Sequence, residues 1–161
     1  MGACAEADVA LSFHNPYGKF LAAGQGFTSG NILLRRAQYR AADDDAATLE
    51  IARNSITAKL ANSRKSLQRA LRDHGEKDAD HGERLTQASE KILRCIRTAG
   101  NATNLDSLRG IEGEAASYYF DAFPALLTNS NFQFDGRNRR PPTDPVNALL
   151  SFLYNLSLIH I

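Results

Sequence analysis

Leu49, Ile56, Leu60, Leu67 and Leu71 recur at steps of seven and four. That spacing returns a side chain to one face of an α-helix and scatters it over both faces of a strand. The stretch from about Asp45 to Arg72 therefore reads as one long helix with a single apolar seam. Such a seam must be buried against other elements. From Ile51 to Arg72 the chain carries six cations (Arg53, Lys59, Arg64, Lys65, Arg69, Arg72) and no acid. Arg53 and Arg64 border the seam, and Lys59, Lys65, Arg69 and Arg72 fall away from it. Acids then cluster between Asp73 and Glu90.

Other helices follow from the same periodicity. Ile32 to about Ala41 is arginine-rich. Glu83 to about Ala99 puts Leu85, Ala88, Ile92, Cys95, Ile96 and Ala99 on one side, with Gly100-Asn101 as its stop. A further helix holds "LRGIEGEAASYYFDAF" (108–123), with Asp106 as its expected N-cap. The last begins at Asp144-Pro145, a capping residue followed by proline in the first turn. It is apolar almost all round and too short to span a membrane. Upstream, Val9–Phe13 and Lys19–Ala23 flank His14-Asn-Pro-Tyr-Gly18, which predicts strand, turn, strand. Two strands alone are marginal in water, so this hairpin is expected to belong to a larger sheet. The fold class expected is α+β: a remnant of an N-terminal β domain (1–29, including a hinge), then a mainly α-helical, incomplete catalytic domain (30–155).

Composition excludes little. Hydrophobic residues are 43% and charged residues 23% of 161, a globular balance with net charge +1. Cys4 and Cys95 read as reduced thiols of a cytoplasmic protein. The start lacks the basic and apolar regions of a secretory signal, and Glu6 breaks the myristoylation pattern. Gly24–Gly30 contains Gly-x-Gly without the Lys-Ser/Thr or third glycine of a nucleotide loop, so a hinge is the better reading. Asp-His-Gly-Glu occurs at 73–76 and again at 80–83. A solvated helix–helix loop, loosened by its glycines, is expected there rather than a metal site.

Two segments carry chemistry. Leu108, Ala115, Tyr119, Phe123 and Leu126 share a face, and Glu112 points into the middle of it. A carboxylate on an apolar face needs a partner. Either it pairs with an arginine, the Arg137–Arg140 cluster being the obvious source, or it is a functional carboxylate. Gly110 and Gly113 each cost a helix interior about 1 kcal/mol relative to Ala. Accepting both suggests that something approaches the backbone closely. The second segment crowds Arg137, Arg139 and Arg140 onto a turn before Pro141-Pro142. Guanidiniums on a stiff turn suit phosphate, and equally suit pairing with acids or helix C-termini.

Three stretches, "SGNILLRRAQYR", "LRGIEGEAASYYF" and "FDGRNRRPPTDPVNALLSFLY", together resemble the CRISPR-associated endonuclease/integrase of the adaptation module (Cas protein one), closest to subtype I-C. The resemblance runs from about Val9 to Asn155. It implies a β domain followed by a helical catalytic domain, a homodimer, and a small partner, Cas protein two. It implies capture of a DNA prespacer duplex and its insertion into the CRISPR repeat, each insertion a transesterification at a phosphodiester. It also implies Mg²⁺ or Mn²⁺ held by a Glu, a His and an Asp, the Glu mapping onto Glu112. Phosphate contacts are then expected at Arg109, Arg137, Arg139 and Arg140, with Arg64, Lys65, Arg69 and Arg72 extending a salt-sensitive track.

The family's His and Asp lie further toward the C-terminus than this chain reaches, and His160 is not in a matching context. Leu156-Ser-Leu-Ile-His-Ile161 corresponds to a translated transposase mosaic-end adapter of sequencing libraries, so 156–161 is expected to be non-native. The chain is thus expected to be a fragment, poorly soluble and without metal-dependent nuclease activity of its own.

Overall fold

The computed structural model describes residues 2–7, 9–24, 30–75, 79–129 and 131–159, with the side chains of His74 and 157–159 outside the description. It is mainly helical with one two-stranded antiparallel sheet, as an α+β reading requires. The elements are α1 (Gly2–Glu6), β1 (Leu11–His14), β2 (Phe20–Gly24), α2 (Ile32–Ala42), α3 (Asp45–His74), α4 (Ala79–Gly100), α5 (Leu105–Ala122), a short 3₁₀ helix (Phe123–Leu126) and α6 (Pro145–Ile159). The chain divides into two compact units, one of residues 36–137 and one that joins 1–35 to 138–161.

The 36–137 unit is built on α3. At 30 residues, that helix is about 45 Å long. Asp44 caps its start, its carboxylate accepting from the backbone N–H of Ala46 and Ala47. The seam faces inward as its spacing predicts, with Leu60 and Leu67 buried and Leu49, Ile56 and Leu71 half-buried. Leu60 and Leu67 pack with Leu85, Ala88, Ile92 and Cys95 of α4 and with Ala115 and Ala122 of α5. Leu67 and Ile92 retain no solvent exposure. A second cluster closes one end with Ala99, Ala102 and Leu108, flanked by Leu49, Ala52, Ile56 and Ile111. Beyond α5, Phe134 packs on Phe120 and Phe123.

Helix α4 starts at Ala79, so the second Asp-His-Gly-Glu lies inside its first turns rather than in a loop. Gly82 is buried, and a Cβ there would meet the Gly75 carbonyl oxygen at 2.8 Å. This glycine permits a close helix-to-turn approach and does not loosen the chain. The cap of α5 is Asn104, whose side chain accepts from the Ser107 N–H, and Asp106 sits in the first turn instead. Both residue types cap well, and the chain enters the helix two residues earlier than the acid suggests.

In the other unit, Leu11 pairs with Gly24, Ser12 with Ala23, Phe13 with Ala22 and His14 with Phe20. The Asn15 side chain accepts from the N–H groups of Tyr17 and Lys19, and Gly18 takes φ +75°. That left-handed conformation explains the glycine. The Asn155 amide donates to the Gly18 carbonyl, joining α6 to this turn. Of α6, Val146 and Asn147 are buried, while Leu149, Phe152 and Leu153 are exposed, as an all-round apolar helix with few neighbours would be. Among the described residues, no helix is long and apolar enough to cross a membrane. The glycine-rich joint (at 25–29) and His160 lie outside the described residues.

Candidate functional site

Glu112 lies mid-way along α5, on the edge of the buried face rather than at its centre. Leu108 and Ala115, one turn to either side, are each 1% exposed. The Glu112 side chain keeps 36% of its surface. Its partner is not an arginine of the 137–140 cluster. It is Lys59 of α3, whose Nζ lies 2.5 Å from Glu112 Oε1, with 56% of the lysine side chain exposed. Helices α3 and α5 flank one core, and Lys59 follows Ile56 by three residues, at the border of the seam. From there its long stem reaches the neighbouring helix. The signal in the sequence is the place of Lys59 beside Ile56 and Leu60, although its position off the seam points to solvent.

Gly110 and Gly113 stand clear. A Cβ built on either would meet nothing within 4 Å. No neighbouring part of the described chain needs these glycines, so the expected close approach is not made by this fold.

The basic residues separate into different roles. Arg109 is exposed and pairs with Asp106 at 3.1 Å on its own helix. The Arg64 Nε–H donates to the Ser89 carbonyl of α4 at 3.3 Å, a bridge between core helices. Arg69 pairs with Asp73 at 3.6 Å, while Lys65 and Arg72 are exposed. Arg137 is half-buried at the end of this unit. Arg139 and Arg140, in the other unit, are exposed on a braced turn. Its brace begins with Asn138, which donates from its backbone N–H to the Asn147 side-chain oxygen at 3.1 Å. Asn138 also exchanges hydrogen bonds with Thr143 at 2.7 and 2.9 Å. Fully buried Asn147 donates its amide to Asp144 at 2.6 Å. That bond and the Asn147 backbone N–H hold the Asp144 carboxyl below its ordinary range.

Opposite the Glu112 edge, the Tyr118 hydroxyl donates to Glu114 at 2.6 Å, which pushes the phenol above its usual value. Burial pushes the Cys95 thiol up, with the Glu114 charge adding to it. Cys4 and Cys95 are both free thiols.

Glu112 thus presents carboxylate oxygens partly open to solvent, paired with the Lys59 ammonium. No group of three His, Cys, Asp or Glu side chains that could hold a metal ion occurs among the described residues.

The family model described as CRISPR associated protein Cas1 matches residues 1–161. The chain belongs to the Cas1 family. It is 49% identical over 158 residues to the CRISPR-associated endonuclease Cas1 1 of Chlorobaculum tepidum, covering 97% of this chain and 46% of that protein. It is 45% identical over 161 residues to the CRISPR-associated endonuclease Cas1 2 of Rhodospirillum rubrum, with coverages of 97% and 46%. It thus spans about half the length of the Cas1 relatives it matches. A solved Cas6-RT-Cas1–Cas2 complex shares the fold with a TM-score of 0.72 and 27% identity, over 96% of this chain and 16% of the matched chain.

Proposed function

We propose that this segment belongs to a Cas1 endonuclease/integrase, of the subtype I-C kind, that inserts new spacers into CRISPR arrays. Each insertion replaces the leaving 3′-oxygen of a phosphodiester with the 3′-hydroxyl of captured DNA. One observation carries the reading: the carboxylate of the Gly-Ile-Glu-Gly stretch stands at the solvent edge of a packed three-helix core, paired with the Lys59 ammonium. Glu112 is the carboxylate that would hold Mg²⁺ or Mn²⁺, together with a His and an Asp that the family resemblance places beyond this chain. A bound divalent ion supplies charge stabilisation to the scissile phosphate and its leaving oxygen.

The candidate DNA contacts are Arg109, Arg137, Lys65, Arg69 and Arg72 in one unit, with Arg64 contributing beside its interhelical bond, and Arg139 and Arg140 in the other. Cationic side chains of this kind meet phosphates, and binding should weaken steeply as salt rises. Arg139 and Arg140 are the strongest of these, since the Asn138–Asp144–Asn147 brace removes much of the ordering cost. The open backbone at Gly110 and Gly113 leaves room for a strand beside Glu112. The working assembly is a homodimer with Cas2 as partner, in the prokaryotic cytoplasm. The presence of Cas1 and Cas2 together in the similar solved complex supports that partner.

The test is made on a full-length Cas1 protein that contains this segment. Mn²⁺-dependent cleavage and integration of a labelled duplex should be lost in Glu112→Ala, with the fold retained by circular dichroism. Full activity in that variant would overturn the reading and leave a DNA-binding or dimerisation module with a structural ion pair. An adjacent CRISPR array of subtype I-C should accompany the gene.

A further inference from the structure

A pocket of about 110 Å³ opens between α4 and α5, on a floor of buried Ala88 and Ala122. Its walls carry Arg84, Gln87 and Lys91 from α4 and Tyr118 and Asp121 from α5. None of these residues belongs to the DNA contacts or to the carboxylate edge described above. We propose that this pocket reads the edge of one unpaired guanine in DNA. The inference rests on the reading of the protein as one that handles DNA, and it involves no metal.

Three observations carry it. Arg84 and Asp121 line the same pocket with opposite charges, yet among the described residues neither makes a hydrogen bond or an ion pair. Packing holds them apart, so both stay ready for a ligand with acceptors on one edge and donors on the next. A phosphate fits this pair poorly, because the Asp121 carboxylate would repel it. Next, the Tyr118 ring is held in place. Its hydroxyl donates to Glu114 at 2.6 Å, and Lys91 Nζ lies 5.0 Å from its centroid. A fixed aromatic side chain suits a planar ligand such as a base. Finally, the pocket has the room of about four waters. It takes the edge of one planar group rather than a drug-sized molecule.

Guanine satisfies both charges. Its O6 and N7 accept from a guanidinium, the commonest base-specific contact. Its N1–H and N2 amine donate side by side to the two oxygens of a carboxylate. Adenine has no carbonyl oxygen, thymine has no amine and cytosine has a single donor group, so each leaves part of the pair unmet. In a duplex the N1–H and N2 amine are spent on pairing, so the guanine read by Asp121 is an unpaired one.

The test is fluorescence anisotropy with the full-length protein and a labelled oligothymidine that carries one central guanine. Deoxyinosine in its place removes the N2 amine, and 7-deazaguanine removes N7. Wild type should bind the guanine strand about two- to ten-fold more tightly than either analogue, the worth of one hydrogen bond. Arg84→Ala should lose the sensitivity to N7 and keep that to the N2 amine, and Asp121→Ala should do the reverse. A merely structural role would not match one residue to one base atom. Both side chains are exposed, so circular dichroism should show the fold retained. If wild type binds the three strands equally, or if either variant keeps both sensitivities, the pocket does not read guanine and the inference fails alone. If wild type binds neither these strands nor a DNA duplex, the DNA reading fails with it.

Discussion

An ammonium–carboxylate pair as open to water as Lys59 and Glu112 contributes about 0–1 kcal/mol to folding. Glu112→Gln should therefore change stability in urea by less than about 1 kcal/mol, even where it removes activity. A large loss of stability with activity retained would make the residue structural. Tyr118 offers a second check at this scale. The hydrogen bond to Glu114 favours the neutral phenol, so its folded pKa lies above the unfolded value. Its contribution to stability is complete below the unfolded pKa of about 10 and is lost as pH rises through the higher folded value. Tyrosine absorbance should thus show one phenol ionising after the others, and Glu114→Gln should move it back toward them.

At the scale of single elements, α5 is capped by Asn104 and carries two glycines in its interior. Asn104→Ala should cost about 1 kcal/mol, and Asp106→Ala much less, because only the first residue accepts the Ser107 N–H. Gly113→Ala should raise stability by up to about 1 kcal/mol, since its Cβ would enter open space and alanine suits a helix better. If a DNA strand passes there, the same variant should bind duplex DNA more weakly in a filter or mobility assay. Stability and binding would then move in opposite directions, which separates a ligand surface from an unused helix face.

For the molecule as a whole, stability depends on the three-helix core of α3, α4 and α5. Ile92→Ala removes a side chain with no solvent exposure from the middle of it and should cost about 2–5 kcal/mol in denaturant titrations. Elsewhere the surface is unusually apolar. Ile32, Leu33 and Leu34 of α2 and Leu149, Phe152 and Leu153 of α6 are all more than half exposed. The isolated 161-residue chain should self-associate in light scattering, and Leu33→Lys with Leu149→Lys should reduce it.

The seam from Leu49 to Leu71 was enough to place α3, because helical periodicity is a local property of the chain. The same holds for the start of α6 at Pro145 and for the hairpin around Gly18, where proline and glycine act on their own backbone. The cap of α5 is not fixed by residue type, since Asn104 and Asp106 are both competent and only the path of the chain separates them. Three properties required tertiary packing. Gly82 matters because the Gly75 carbonyl lies against it, and Gly110 and Gly113 stay open because no described residue covers them. Glu112 meets Lys59 rather than an arginine because α3 and α5 pack on one core and bring together residues 53 positions apart. Sequence thus placed the main helices and marked Glu112 as a carboxylate in want of a partner. Packing decided which cation, because a contact across that separation is set by the joint burial of two helices and by no local preference.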